Sequence, residues 1–87
     1  MTLAVETRQA SHDPSTIVRW EFARGAHRVS CQIDRIGRAF QVALVPYRDL
    51  RQTSVETYQH AADALGRHAS LASSLRTNGW RLVSYTN

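Results

Sequence analysis

The stretch from residue 16 to residue 47, TIVRWEFARGAHRVSCQIDRIGRAFQVALVPY, decides the fold because it contains three consecutive runs in which apolar and polar residues alternate. Alternation with a period of two is typical of strands that bury one face. The apolar sides of the three runs are Val18, Trp20 and Phe22; Val29, Cys31 and Ile33; and Phe40, Val42 and Leu44. Glycines separate the runs, so the stretch predicts an antiparallel meander of three strands joined by tight turns.

The turns set which side chains lie opposite each other. If Arg24-Gly25 is a two-residue turn, Trp20 lies opposite Val29, and the same arrangement at Gly37 also places apolar opposite apolar residues. A slip of one residue would destroy this match. Neither turn has the usual Asn or Asp before its glycine, so a longer loop with a glycine bulge is the alternative at both places.

A helix is predicted after the meander. The sequence TSVE at residues 53–56 matches a capping box, in which a hydroxyl and a carboxylate satisfy free backbone N–H groups. Gly66 is compatible with a bend or a break in this helix, and Asn78-Gly79 predicts the end of the helix. Its apolar stripe, at the three- and four-residue steps of a helix that covers a sheet, is predicted to contain Val55, Tyr58, Ala62, Leu65, Ala69 and Ala72, widened by Leu71 and Leu75.

Residues 80–85, WRLVSY, predict a fourth strand. Because a helical crossover between strands is right-handed, this strand is expected beside the first one and parallel to it. The sequence therefore predicts an α+β fold of order βββαβ: a three-stranded antiparallel meander, one long helix on one face, and a C-terminal strand. Residues 16–87 form this single domain. Residues 1–15 are predicted to be a flexible arm. Its alternating Leu3, Val5 and Thr7 are also compatible with a short edge strand or a swapped strand.

Size and cysteine content limit the function classes. A chain of 87 residues buries a modest fraction of its surface, so association with a second copy is expected. Cys31 is the only cysteine, which excludes an internal disulfide, and its apolar flanks predict a buried core residue rather than a nucleophile. No run approaches the roughly 18 apolar residues of a membrane helix, and no secretory signal is recognisable. The cytoplasm is the expected compartment, with no membrane partner.

No catalytic, cofactor or metal motif is found. His60 and His68 lie eight residues apart with no cysteine nearby, so they are predicted to be surface residues of the helix rather than metal ligands. No serine has the glycine-flanked setting of a hydrolase nucleophile, and the four glycines are scattered singly, which excludes a glycine-rich phosphate loop. We expect a protein that is not an enzyme, with no cofactor and no metal.

The net charge of +4 comes from arginine, because the sequence contains no lysine. An arginine rim on an exposed sheet face could follow nucleic-acid phosphates. The candidate contacts are Arg19, Arg24, Arg28, Arg35 and Arg38. Sheet-surface RNA binders also stack bases on aromatic rings, whereas the aromatic residues of the first two strands lie on the apolar face. A solvated sheet face with cross-strand ion pairs is therefore favoured over a nucleic-acid surface.

Self-association is the leading functional hypothesis. The candidate interface residues Tyr47, Val83 and Tyr85 give more apolar surface than so small a domain readily hides. An uncharged patch on the sheet is the alternative interface, formed by Ser30, Gln32, Gln41 and Ala43. The sequence predicts a small, non-catalytic protein of bacterial type that acts as an assembly or protein-interaction module, as a homodimer. Arginine-dependent binding of RNA or DNA is the alternative.

The segment LRTNGWRLVS, residues 75–84, resembles the helix-to-strand corner of small bacterial domains in which a strand follows a helix at a Gly-Trp pair. It also resembles the corresponding corner of HicA-type RNA-cleaving toxins, which have a fold similar to double-stranded-RNA-binding domains and a functional histidine in a strand after that corner. No histidine follows Gly79 in this sequence. The resemblance therefore transfers no catalytic residue.

Overall fold

A five-stranded antiparallel sheet with one helix on one face is formed by residues 15–86, the part of the chain that the computed structural model describes. The strands are β1 (Thr16–Arg24), β2 (His27–Ile36), β3 (Ala39–Pro46), β4 (Ser54–Tyr58) and β5 (Arg81–Thr86), and helix α1 (Ala61–Thr77) lies between β4 and β5. Their order across the sheet is β4-β3-β2-β1-β5. The predicted α+β class is confirmed, with its meander, its helix and its C-terminal strand. The predictions for the N-terminal arm lie outside the described residues, except at Ser15.

The two hairpins of the meander place glycine first in a two-residue turn. Gly25 and Gly37 both have φ of 60°, a conformation that glycine adopts readily and that suits the first position of a type II′ turn. The predicted turns put each glycine second, so the predicted register is wrong by two residues: Phe22, not Trp20, lies opposite Val29. Because side chains alternate along a strand, a shift of two leaves each of them on its predicted face.

The core lies between α1 and one face of the sheet, called here the helix face. Phe22 and Ile33 are fully buried there, each at the centre of an apolar cluster, and Leu71 of α1 packs against both clusters. The buried apolar members of the two clusters are Phe22, Val29, Cys31, Ile33, Val42, Ala64 and Ala72. The predicted apolar side of the meander is therefore the side that α1 covers.

Helix α1 faces the sheet with only part of the predicted stripe: Ala72 is buried, and Leu71 and Leu75 pack against the core. Its buried residues are Ala64, His68 and Ala72, at steps of four. Ala62, Leu65 and Ala69 of the predicted stripe are exposed. The predicted stripe took its phase from residues that precede the helix, which explains the error. The helix runs through position 66 without a break.

The segment that matches a capping box is a strand. Val55 in β4 lies opposite Ala43 of β3, and the five residue pairs between these strands follow one regular register. The helix begins only at Ala61, after His60, whose side chain makes no capping hydrogen bond. Alternating β-branched residues beside an existing strand gain a full ladder of backbone hydrogen bonds, and this gain outweighs a local capping preference.

Strand β5 lies beside β1, as predicted, but it runs antiparallel to β1 rather than parallel. The added strand β4 is the reason. β4 runs opposite to β3, so the helical crossover from β4 leads into a strand that is parallel to β4 and antiparallel to β1. The register between β1 and β5 shifts between Glu21 and Phe22, which leaves a bulge at Val83.

The end of α1 follows the sequence prediction. Gly79 has φ of 91°, the Trp80 N–H donates to the Leu75 carbonyl oxygen (3.0 Å), and the Gly79 N–H donates to that of Arg76 (3.1 Å). These two hydrogen bonds define a Schellman motif. Trp80 is thereby directed onto the cluster around Phe22, so the helix end also positions a core residue.

Candidate interaction surfaces

The face of the sheet that α1 leaves uncovered is called here the open face. The strand register places on it Arg19, Glu21 and Ala23 of β1; Arg28, Ser30, Gln32 and Asp34 of β2; Gln41, Ala43 and Val45 of β3; Val55 and Thr57 of β4; and Arg81 and Ser84 of β5. Ala23, Ser30 and Ala43 are small enough to be buried beneath their neighbours. The middle of the open face therefore contains small side chains beside the charged residues Arg19 and Glu21.

A chain of polar side chains on the open face forms hydrogen bonds within itself. The Ser30 hydroxyl donates to Gln32 Oε1 (3.0 Å), and Gln32 Nε2 donates to the Asp34 carboxylate (3.1 Å). The Thr16 hydroxyl also donates to Asp34. The predicted uncharged patch thus exists in the fold, but the donors of Ser30 and Gln32 are occupied inside one chain. Such a patch gains little from a new polar partner.

A second cluster on the open face joins Arg19, Glu21 and Tyr47. One guanidinium nitrogen, Arg19 Nη2, lies 3.2 Å from Glu21 Oε2 and donates to the Tyr47 hydroxyl at 3.2 Å. Burial, reinforced by the hydrogen bond with Glu21, raises the pKa of Tyr47 against the opposing influence of Arg19. Tyr47 therefore stays neutral, and Arg19 is engaged within the chain rather than free for a phosphate.

The five arginines singled out in the sequence do not share one surface. Arg19 and Arg28 lie on the open face, as expected. Arg24 lies on the helix face, where its guanidinium covers the Trp80 ring at 4.8 Å from the ring centroid. Arg35 and Arg38 lie at the turn between β2 and β3, at the opposite end of the sheet from Arg24.

Arg81 is not one of the five predicted arginines, but it lies near Arg28 on the open face. Arg81 of β5 pairs with Ala23 of β1, and Ala23 pairs on its other side with Arg28. Arg81 and Arg28 therefore flank a small buried residue in one row of the open face, and Tyr47, whose N–H donates to the Arg28 carbonyl, continues that row. Only the antiparallel direction of β5 reveals this row, so the sequence pattern alone did not show it.

Cys31 and His68 meet in the core. His68 Nε2 donates to the Cys31 carbonyl oxygen at 3.0 Å, and the imidazole packs edge-on against Trp20, 5.1 Å between ring centroids. Burial raises the pKa of Cys31 to about 11, so the thiol is held in its unreactive neutral form. Burial lowers the pKa of His68, although its hydrogen bond opposes the shift. The predicted burial of Cys31 is confirmed, and the predicted surface position of His68 is wrong.

The His68 error has a sequence signal that could have prevented it. Once the helix is taken to start at Ala61, the residues Ala64, His68 and Ala72 fall on one line at four-residue steps. Two small residues on either side of a histidine let the ring approach the sheet closely. The position is thus structural, with the imidazole serving as a core aromatic with one polar contact.

The described residues offer little for small ligands. Among residues 15–86, no three side chains of His, Cys, Asp or Glu lie close enough together to hold a metal ion, and no ligand-sized cavity is enclosed. The helix of this part of the chain is not long and apolar enough to cross a membrane.

The three candidate interface residues lie apart. Tyr47 lies on the open face, at the end of β3. Tyr85 of β5 lies on the helix side, 6.2 Å from Trp20 between ring centroids, and is 65% exposed, while Val83 occupies the bulge of the same strand. The structure brings two of the three together on one edge strand and separates the third. The other edge strand, β4, carries Val55, which the sequence analysis assigned to a helix.

Comparison with protein families, with curated proteins and with solved structures finds no match to this chain.

Proposed function

We propose that this chain is a small assembly module of the cytoplasm that acts by pairing with a second copy of itself. The observation that supports the proposal is the state of the two outermost strands, β4 and β5. Neither has a partner on its outer side among residues 15–86, and each has an exposed apolar side chain, Val55 (52%) and Tyr85 (65%). Unpaired strand edges are templates for pairing with another chain.

The two faces of the sheet are less suited than its edges to pairing with a second copy, which supports the same proposal. The helix face is already filled by α1. On the open face, Ser30 and Gln32 form hydrogen bonds within the chain, although the buried Arg19 Nε has no hydrogen-bond partner among the described residues. An edge gains most from a partner, because each new contact pairs backbone groups that otherwise bond only to water.

The proposal is tested by sedimentation equilibrium over a wide range of protein concentration. We expect the mass to rise toward twice the 9.8 kDa of one chain as the concentration increases. A mass that stays at 9.8 kDa at all concentrations would overturn the assembly proposal. Light scattering on a sizing column gives an independent check at one concentration.

Nucleic-acid binding is the second candidate, and the row formed by Arg81, Arg28 and Tyr47 supports it. Two arginines and a tyrosine on an uncovered sheet face are the residue types with which single-stranded nucleic acids are held. Fluorescence anisotropy of labelled single-stranded RNA at low salt tests it. Binding that weakens with salt and is lost in the double variant R28A/R81A would support it, with S84A on the same face as the control. No binding at low salt would exclude it.

A further inference from the structure

Among residues 15–86, no strand pairs with the outer side of the edge strand β4. Ile36 and Ala39 flank a two-residue turn and so form a hydrogen-bonded pair, after which bonded and non-bonded pairs alternate along β2 and β3. By this alternation Phe40, Val42 and Leu44 of β3 bond to β4 rather than to β2. Their partners in β4 are Tyr58, Glu56 and Ser54. The N–H and C=O groups of Val55 and Thr57 therefore point outward, away from the sheet.

Within the described residues, this edge lacks three of the features by which sheets avoid pairing, although at five residues the strand is short. The three features are a bulge, a proline and a free charge on the strand. β4 pairs regularly with β3, and its one charged residue, Glu56, has an ion-pair partner within the chain, since Arg67 Nε and Nη2 lie 2.8 and 3.2 Å from its carboxylate oxygens. The opposite edge differs, because β5 has the bulge at Val83 and the charge of Arg81.

We propose that β4 pairs antiparallel with β4 of a second copy, about a two-fold axis at Val55, so that two five-stranded sheets become one ten-stranded sheet. This inference rests on the proposed self-association and specifies the strand at which the two copies pair. A two-fold contact requires a surface that is complementary to itself. At this register Val55 meets the partner's Val55 on the open face, and Ser54 meets the partner's Glu56 on the helix face.

The neighbouring registers are less favourable. An axis at Glu56 brings two carboxylates directly opposite each other, which destabilises a strand pair. An axis at Thr57 pairs Val55 with residue 59, where the chain already bends away toward α1. An axis at Val55 instead uses Thr53, whose backbone is extended at φ −61° and ψ 128° and so continues the strand.

The paired strands are short, so the association is expected to be weak. Stable interfaces bury about 800 Å² on each partner, and a contact between two five-residue strands with their flanking side chains is smaller. We therefore expect dissociation in the micromolar range or weaker, with rapid exchange between monomer and dimer.

Proline substitution in one edge strand at a time tests which of the two edges carries the association. V55P removes an N–H that points outward and leaves the bonds between β4 and β3 in place, so the fold should persist while association is lost. Y85P is the matched control, because Tyr85 pairs with Trp20 and points its N–H away from β1. V55R, which keeps the backbone donor and adds like charges at the axis, is the second variant in case the proline unfolds the chain.

Sedimentation equilibrium and far-UV circular dichroism give the outcomes. We expect V55P and V55R to be folded monomers at concentrations where wild type and Y85P form dimers. Dimers in V55R, or loss of dimers in Y85P with folding retained, would overturn the proposed contact between two β4 strands. Neither outcome would contradict self-association itself. A wild type that is monomeric throughout would remove both proposals together.

Cross-linking fixes the register. Because Cys31 is buried with a raised pKa, a cysteine introduced into β4 is the reactive thiol under mild oxidation. V55C should form disulfide-linked dimers faster than E56C or T57C, since only the residue on the axis faces its own copy. Faster cross-linking of E56C would overturn the proposed register, and faster cross-linking of Y85C than of V55C would overturn the choice of edge.

Discussion

The two faces of the sheet are formed by alternate residues of the same strands, yet different forces hold them. On the helix face, apolar side chains from β1, β2 and β3 are packed beneath α1, and the buried His68 donates a hydrogen bond to the Cys31 carbonyl oxygen. On the open face, hydrogen bonds run along β2 from Ser30 to Asp34, and an ion pair joins Arg19 to Glu21. The difference predicts that most of the stability comes from the helix face, where apolar area is removed from water.

Truncating one aromatic residue on each face is expected to give the largest contrast. Phe22→Ala removes a fully buried ring from the helix face and should lower the free energy of unfolding by about 3–5 kcal/mol. That is a large share of the roughly 5–15 kcal/mol typical of a domain. Tyr47→Ala on the open face should cost about 1 kcal/mol. Urea unfolding followed by circular dichroism measures both, and similar losses would show that the two faces contribute equally.

The second comparison is between Trp80 and Tyr85, which both follow α1. Trp80 is half-buried, packs against the cluster around Phe22, and is covered by Arg24. Trp80→Ala should therefore lower the free energy of unfolding by about 2 kcal/mol. Tyr85→Ala, on an exposed ring at the edge, should cost less than about 0.5 kcal/mol. Thermal unfolding of both variants measures this, and an equal loss in the two would contradict the assignment of Trp80 to the core.

The helix face should also respond to pH. Burial holds the pKa of His68 below its ordinary value. A base with a lowered folded-state pKa gives stability that is complete above its unfolded pKa, near 6.5, and is lost as the pH falls below that value. The melting temperature of the wild type should therefore decrease as the pH is lowered from 7.5 to 5.5. This decrease should be smaller than the decrease that Phe22→Ala or Trp80→Ala causes at constant pH.

His68→Gln tests this cause, because a glutamine amide can still donate to the Cys31 carbonyl but does not titrate. The melting temperature of this variant should depend less on pH over the same interval. His60→Gln, at an exposed position before α1, is the control and should keep the wild-type dependence. Wild-type dependence in His68→Gln would assign the effect to other groups.

The helix face was largely predictable from the sequence, because alternation alone decides which side chains share a face. Val29, Cys31 and Ile33 are buried as predicted even though the register is displaced by two residues. The displacement depends on whether glycine is the first or second residue of each turn. A turn with glycine second would need a positive φ at Arg24 or at the β-branched Ile36, so the sequence itself favours glycine in the first position.

The edge of the sheet was not predictable in the same way. Residues 53–56 satisfy a local helix signal, and only the neighbouring strand β3, with its free backbone groups, favours extending them instead. One missed strand then reversed the direction of β5 and hid the row formed by Arg28 and Arg81. It also shifted the phase of α1, so that His68 was placed on the surface. These errors have one cause, because long-range strand pairing overrides short-range preference.

The smallest effect is expected from a pair of serines on the open face. Ser30 and Ser84 both lie opposite Glu21, but Ser30 is buried and donates to Gln32, whereas Ser84 is exposed on the edge strand. Ser30→Ala should cost up to about 1 kcal/mol of unfolding free energy, because it removes one hydrogen bond and leaves an acceptor in a half-buried setting. Ser84→Ala should leave the free energy of unfolding unchanged within the error of urea titration. A loss at Ser30 larger than the loss at Trp80 would show that the polar chain, rather than the apolar core, limits the stability of this sheet.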